Sequence, residues 1–336
     1  MPTNRRIVLV SRPQAKASTS NFRLEELALP VLQPGQILIR NQWLSLDPYM
    51  RGRMNDARSY VAPQALNEVM LGATAGEVIE SRNPKFAVGS PVVAYAGWQE
   101  YGVSDGVGVS KVDTRSVPLS AYLGAVGMPG VTAWYGLNRI IEPHEGQTVV
   151  VSAASGAVGS VVGQLARIRG ARAVGMAGGP EKCGYVIDEL GFDACIDYKL
   201  EDTAEKLNRA LKEAAPKGID GYFENVGGAM MNAVLPRMNP FGRIALCGMI
   251  AGYDGQPIPI DNPAWFLISR LTLQGFIITE HMDVWPGALQ ELGAHVASGR
   301  IKYRESIANG IENAPQAFLG MLKGANFGKQ LVKLAA

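Results

Sequence analysis

The stretch Val149–Gly170, VVVSAASGAVGSVVGQLARIRG, decides the fold. Val149 to Val151 is a β-branched run suited to a buried strand, and Ser152 to Ser155 are all small. A helical pattern starts near Ala157, with Val158, Val161, Val162, Leu165 and Ile168 at turn spacing. A strand, a tight turn and a helix whose N-terminus faces the turn make up the start of a βαβ dinucleotide unit. The helix end offers unpaired N–H groups and the positive pole of its dipole, so a pyrophosphate can sit there. Gly156 and Gly159 let the backbone approach phosphate and the helix pack on the strand. Ala154 replaces the first glycine of G-x-G-x-x-G, leaving Ala154-x-Gly156-x-x-Gly159. That pattern alone also fits a glycine-eased helix start in any α/β protein. The strand before it, the helix after it and a second strand beyond it favour dinucleotide binding.

Downstream the alternation continues. Ala171–Met176 reads as the second strand and is followed by Ala177-Gly178-Gly179-Pro180-Glu181-Lys182. An NAD site places an acid at the end of this strand for the ribose 2′-hydroxyl. None stands at the strand end and Lys182 follows shortly, which suits a 2′-phosphate and favours NADP. Lys182 also fits an ordinary surface lysine, and an inward-pointing Glu181 would reverse the choice. Further strands are expected at Ala194–Ile196, Ile219–Glu224, Arg243–Cys247 and Leu271–Ile278. Helices are expected to end at Gly191, to span Glu201–Ala215 and 229–238, and to lie around Ala264–Arg270. This is the pattern of a doubly wound parallel sheet, whose ligands lie beyond the carboxyl ends of the strands. Tyr198, Asn225, Gly248–Tyr253 and Phe276–Ile278 rank on that ground as neighbours of cofactor or substrate.

Upstream, residues 1 to about 120 are β-rich, with short apolar runs at Ile7–Val10, Ile37–Ile39, Val78–Ile79, Val92–Tyr95 and Tyr101–Val103. Pro34-Gly35, Asn83-Pro84 and Ala96-Gly97 punctuate them, as in a compact antiparallel barrel-like domain. Asp47-Pro48 marks a turn carrying Tyr49-Met50-Arg51, which fits packing plus a solvated arginine as well as a substrate-facing loop. The bridge LGAVGMPGVTAWYG suits a helix break or hinge at Gly127, Pro129 and Gly130. The chain closes with strands at Ile301–Tyr303 and Lys329–Leu334 around a helix at Ala314–Leu322. That last piece is expected to complete the first domain, giving residues 1–122 with 300–336 and residues 123–299. A turn at Gly324–Lys329 can bring Asn326 to the cofactor.

With 336 residues and 47% apolar content, the chain can bury two cores. A spread net charge of +2 gives nucleic-acid binding no support. The apolar runs are too short for a signal peptide or a membrane span, so a cytoplasmic location is the default expectation. Three scattered cysteines and three dispersed histidines offer neither a disulfide framework nor clustered zinc ligands.

The runs AASGAVGS, AGGPEKC, FDACIDYK, GIDGYFENVGG and GRIALCGMIAGY, with LSLDPYMRGRM before them and GANFGKQLV after, extend over nearly the whole chain. They resemble the zinc-independent medium-chain dehydrogenase/reductase family, in the branch that reduces alkenals and 15-oxoprostaglandins and includes bacterial curcumin reductases. The resemblance implies a GroES-like β-barrel domain and a Rossmann domain with the active site between them, together with NADPH and a homodimer. It implies hydride transfer to the β-carbon of an enal or enone through an enolate. Carried over by position, Ala154, Ser155, Gly156, Ala157, Val158 and Gly159 hold the pyrophosphate. Gly179, Lys182 and Tyr198 meet the adenosine 2′-phosphate region, and Asn225 lies along the dinucleotide. Cys247, Gly248, Met249, Ile250 and Tyr253, with Phe276, Ile277 and Ile278, flank the nicotinamide, and Asn326 bonds the cofactor. Tyr253 is the first choice for the hydroxyl that binds the carbonyl oxygen or relays a proton, and Tyr49 the second; both also fit an apolar substrate wall. The loops Ile250–Pro257 and Asn55–Asn67 are expected to set substrate size. Leu71–Gly76 lacks the histidine of the zinc-dependent relatives, so no metal is expected. A quinone reductase and a non-catalytic NADPH-binding sensor are the alternatives.

Overall fold

The structure is a computed structural model that describes residues 3–334. The chain divides into two units, Met1–Leu123 with Glu305–Ala336 and Gly124–Arg304. In the first, β1 (Thr3–Leu9) pairs antiparallel with β2 (Phe22–Ala28). β3 (Ile37–Ser45), β4 (Thr74–Ser81), β5 (Pro91–Ala94), β6 (Tyr101–Ser104) and β7 (Ser110–Lys111) form an antiparallel sheet in which β3 pairs with both β4 and β6. The short helix α1 (Tyr49–Arg53) follows the Asp47-Pro48 turn. Alternating residues Ile37, Ile39, Val78, Val92 and Ala94 close one small core over Phe86, as period-two strands require.

The second unit opens with α2 (Met128–Tyr135). Pro129 lies in its first turn, where the missing N–H costs nothing, so the Gly127–Gly130 run starts a helix rather than breaking one. There follow β8 (Thr148–Ser152), α3 (Gly159–Ile168), β9 (Arg172–Ala177), α4 (Pro180–Asp188), β10 (Ala194–Asp197), α5 (Ala204–Ala214), β11 (Ile219–Glu224) and α6 (Ala229–Val234). β12 (Met238–Leu246), α7 (Ala264–Ile268), β13 (Thr272–Gly275) and α8 (Trp285–Ala297) complete it. The strands run parallel in the order β10-β9-β8-β11-β12-β13, which is 3-2-1-4-5-6 within this unit, the Rossmann order. β8 feeds both faces: Val149 and Val151 join a core with Val161, Leu165 and Phe223, while Val150 joins Val174, Leu211 and Tyr222.

β14 (Glu305–Asn309), α9 (Ala314–Leu322) and β15 (Lys329–Lys333) belong to the first unit. There β15 pairs antiparallel with β3 and parallel with β14, so that sheet is not wholly antiparallel. The closing strand expected at Ile301–Tyr303 is therefore displaced to Glu305–Asn309. Ile301 is instead buried in the second unit's core, and the Gln164 side chain takes both backbone groups of Lys302, at 2.8 Å each. The expected Leu271–Ile278 strand stops at Gly275, and Ile278 opens a single 3₁₀ turn. α3 starts at Gly159, two residues beyond Ala157.

Candidate functional site

In the second unit the strand order reverses between β8 and β11, which is where a doubly wound sheet opens a crevice for ligand. The turn after β8 is built tightly. Ala153 takes a left-handed φ of +51°, Gly156 N–H returns to Ala153 O at 2.9 Å, and Ala154 N–H crosses to Met176 O at 3.0 Å. Ala154 and Ser155 are buried, and Ala157 and Val158 carry the chain into α3. A Cβ at Gly159 would stand 2.4 Å from Ala153 O, so the helix can begin this close to the turn only with glycine there. A Cβ at Gly156 would meet only Ala153 O, at 3.1 Å, and otherwise project into open space. That leaves open space at the turn into α3, where an anion can come close to backbone.

Beyond β9 the chain passes Ala177 and Gly178 to Gly179, whose φ is +99° and whose N–H donates to Asp197 Oδ1 at 2.7 Å. Asp197 also accepts Lys199 N–H, at 3.0 Å. Its carboxylate, the acid nearest this turn in the sheet register, is thus committed to holding backbone. The Tyr198 hydroxyl lies 2.6 Å from where a Cβ at Gly178 would be, so this glycine makes room for the ring. Burial and then Asp197 raise the Tyr198 phenol above its ordinary value. Lys182 is half-buried in the first turn of α4; burial, and then the charge of Lys199, lower its ammonium. The exposed Glu181 beside it acts the other way, so a phosphate here relies on Lys182 and Lys199 lying near a strand end whose own acid, Asp197, is turned to backbone.

At the reversal point, Asn225 ties the two central strands together. Its N–H donates to Ser152 Oγ at 2.7 Å, and its Nδ2 to Ser152 O at 2.8 Å. Behind it lies fully buried Glu224, which accepts from Ser152 Oγ at 2.7 Å, Tyr222 OH at 2.7 Å and Val226 N–H at 2.6 Å. The Glu224 carbonyl takes Cys247 N–H at 2.9 Å and Gly248 N–H at 3.1 Å, while Asn225 O takes Ile250 N–H at 3.2 Å. One acid therefore joins the carboxyl ends of β8, β11 and β12. Burial pushes the Cys247 thiol up to about 12. Met249 leads into the 3₁₀ turn Ile250–Gly252, and the Tyr253 ring folds back so that its hydroxyl lies 3.3 Å from where a Cβ at Gly248 would stand. Phe276 and Ile278 are buried, Phe276 edge-on to Phe223 at 6.3 Å; Ile277 lies between them.

Tyr49 and Asn326 belong to the first unit. The Tyr49 hydroxyl lies 2.7 Å from that of Tyr95. One phenol must donate to the other, which leaves the second proton directed elsewhere. Burial and the Asp47 charge hold the Tyr49 phenol well above its usual range. Asp47 is itself buried against Lys329 Nζ at 2.6 Å, which also donates to Leu46 O at 2.8 Å. Met50 and Arg51 are buried, and Arg51 Nη1 donates to Asn55 at 2.7 Å, so this arginine is not a solvated one. The Asn326 side chain donates to Gly328 O at 2.8 Å, within its own turn. Glu224, Asp197, Tyr95 and the Asp47–Lys329 pair escape a reading of the sequence. The signal for Glu224 was an acid ending the apolar run of β11.

A parallel sheet in this order, with a glycine turn under its first helix, defines a dinucleotide-binding domain. Residues 5–112 match the family model described as the N-terminal domain of oxidoreductase, and residues 157–294 match that of zinc-binding dehydrogenase. The chain is 45% identical, over 99% of its length and 97% of the relative's, to the NADPH-dependent curcumin reductase of Escherichia coli (strain K12). It is 38% identical, over 99% of its length and 98% of the relative's, to the NADP(+)-dependent 2-alkenal reductase of Nicotiana tabacum. The crystal structure of CurA in complex with NADPH from Vibrio vulnificus matches it with a TM-score of 0.93 at 45% identity, covering 99% of both chains. The chain belongs to the medium-chain dehydrogenase/reductase family, in its alkenal and prostaglandin reductase branch. Among the described residues, no three His, Cys, Asp or Glu side chains gather where they could hold a metal ion, and no helix is long and apolar enough to cross a membrane.

Proposed function

We propose that this chain is an NADPH-dependent reductase of the C=C bond in α,β-unsaturated aldehydes and ketones. The observation that carries the reading is the glycine turn beside the β8–β11 reversal, in a chain matched end to end by an NADPH-dependent curcumin reductase and a 2-alkenal reductase. The residues present fit the cofactor. Ser155, Ala157, Val158 and Gly159 offer backbone N–H groups to the pyrophosphate, and Lys182, with Tyr198 and Gly179, holds the 2′-phosphate. Asn225 and the Cys247–Tyr253 turn, with Phe276 to Ile278, line the nicotinamide end. When bound, NADPH supplies the hydride for the carbon β to the carbonyl.

Negative charge then grows on the substrate's carbonyl oxygen, and a hydroxyl aimed at it lowers the barrier; losing one such donor costs about 3–4 kcal/mol of activation free energy. Tyr253 holds that proton at its hydroxyl, with Tyr49 second; burial keeps the Tyr49 phenol protonated and able to donate. A homodimer is supported by the outermost strand β13 and by Leu267 and Ile268 beside it, 80% and 53% exposed. A cytoplasmic location is supported by three free thiols.

The test is cofactor oxidation across a panel of enals, enones and quinones. Turnover of 2-alkenals with NADPH is the expected result; turnover of simple quinones alone would overturn the reading. Lys182→Ala should raise KM for NADPH by about tenfold and leave that for NADH unchanged. Tyr253→Phe should lower kcat on a small enal by about 100- to 1,000-fold, and an unchanged kcat would remove Tyr253 from the chemistry.

A further inference from the structure

Cys183 stands in the first turn of α4 and Cys195 in the middle of β10, and their sulfurs are 3.2 Å apart. The Cys195 thiol donates to Cys183, and the Cys183 thiol faces Ala177 O at 3.9 Å. The two segments joined by this contact are the ones that build the turn assigned to the 2′-phosphate. Lys182 directly precedes Cys183. Asp197, which fixes Gly179 N–H at 2.7 Å, lies two residues beyond Cys195. We propose that Cys183 and Cys195 form a redox modification site: a hydroperoxide closes them into a disulfide, which shifts Lys182 and loosens the hold on NADPH.

The chemistry balances. The Cys183 sulfur attacks one oxygen of the hydroperoxide, the O–O bond breaks, and a sulfenic acid forms with release of water or an alcohol. Cys195 then attacks that sulfur and expels a second water, so two thiols are oxidised and one peroxide bond is reduced. The roles follow from the contact. Its bond to Cys195 holds the Cys183 thiol below its ordinary value, whereas the bond to Cys183, with burial, pushes Cys195 far up. The Cys195 thiol donating to it puts the attack on Cys183, which is buried, and leaves the partly exposed Cys195 as the resolving sulfur. A disulfide needs about 2.05 Å between sulfurs, so closure brings them roughly 1 Å nearer and pulls the first turn of α4 against β10. An enzyme that consumes NADPH would then spare it when hydroperoxides accumulate.

The coupling rests on the reading of Lys182 as the 2′-phosphate ligand; the disulfide itself does not. Both cysteines fall in one tryptic peptide, Cys183–Lys199. After treatment of the purified protein with hydrogen peroxide, that peptide should be lighter by two hydrogen atoms and return to its full mass with dithiothreitol. NADPH titrated by fluorescence should bind the oxidised protein about fivefold more weakly, a loss near 1 kcal/mol. Peroxide should leave the NADPH affinity of Cys183→Ser unchanged, because that variant lacks the attacking sulfur. A peptide that stays reduced, or only gains oxygen, overturns the site. A disulfide that forms without weakening NADPH overturns the coupling. Reduced Lys182→Ala binding NADPH as the wild type does would remove the phosphate reading and the coupling with it, while leaving the peptide mass to decide the site.

Discussion

Glu224 and Asp47 are both buried carboxylates beside residues assigned to chemistry, but their surroundings differ. Glu224 receives only neutral donors: the hydroxyls of Ser152 and Tyr222 and the N–H of Val226. Asp47 receives a full charge, from Lys329 Nζ at 2.6 Å, together with the Ser45 hydroxyl. The neutral arrangement spreads the load over several bonds, each of which also fixes a strand end. The charged one concentrates it in one charged partner that is buried in its turn. Burial alone lowers the Lys329 ammonium, and Asp47, then Glu305, act against that. Glu224 is therefore a clamp on backbone geometry, and Asp47–Lys329 a balance in which neither member is safe without the other.

The largest effect should come from Asp47→Ala, which takes from the buried Lys329 charge the carboxylate bonded to it. A loss of about 3–5 kcal/mol in urea unfolding is expected. Adding Lys329→Met should recover most of it, because the uncompensated charge goes with the lysine. If the single change cost under about 1 kcal/mol, the contrast between the two acids would disappear. Glu224→Gln comes next. Its amide NH₂ must face one of three donors, so stability should fall by about 1–3 kcal/mol. NADPH affinity should fall with it, since Asn225 is held through Ser152. Retained stability with lost affinity would show instead that Glu224 serves the site alone.

The sheet and the glycine turn are legible in the chain because their signals are local. Val149–Val151 must be a buried strand, and Gly156 and Gly159 mark where backbone comes close to backbone or ligand. The clamp is invisible for the opposite reason. Ser152 and Glu224 are 72 residues apart, and each alone reads as an ordinary polar strand end. Lys329 and Asp47 are separated by 282 positions, and a lysine in a glycine-rich turn reads as exposed. Ile301–Tyr303 shows the converse error. An apolar run looks like a strand, yet the Gln164 side chain takes the backbone bonds a ladder would have supplied. Local pattern reports that a segment is extended and buried, but not which partner satisfies its polar groups.

The gentlest change separates the clamp's geometry from its charge. Burial, and then the Glu224 charge, hold the Tyr222 phenol well above its ordinary value. Tyr222→Phe removes one of three donors, so about 1 kcal/mol should be lost at neutral pH. The alkaline side carries the sharper reading. Below about pH 10 the phenol is protonated in both folded and unfolded chains, and its contribution is fully present. Above that, the unfolded chain gives up the proton while the folded chain keeps it. Stability must then fall as pH rises, until the folded phenol ionises too. Tyr49, raised in the same direction, leaves part of that fall in the variant. Urea unfolding of both proteins at neutral pH and at about pH 10.5 should show the gap between them narrowing. A gap that widens with pH would mean that Tyr222 ionises more readily folded than unfolded, and that the Glu224 clamp is not the environment that holds its proton.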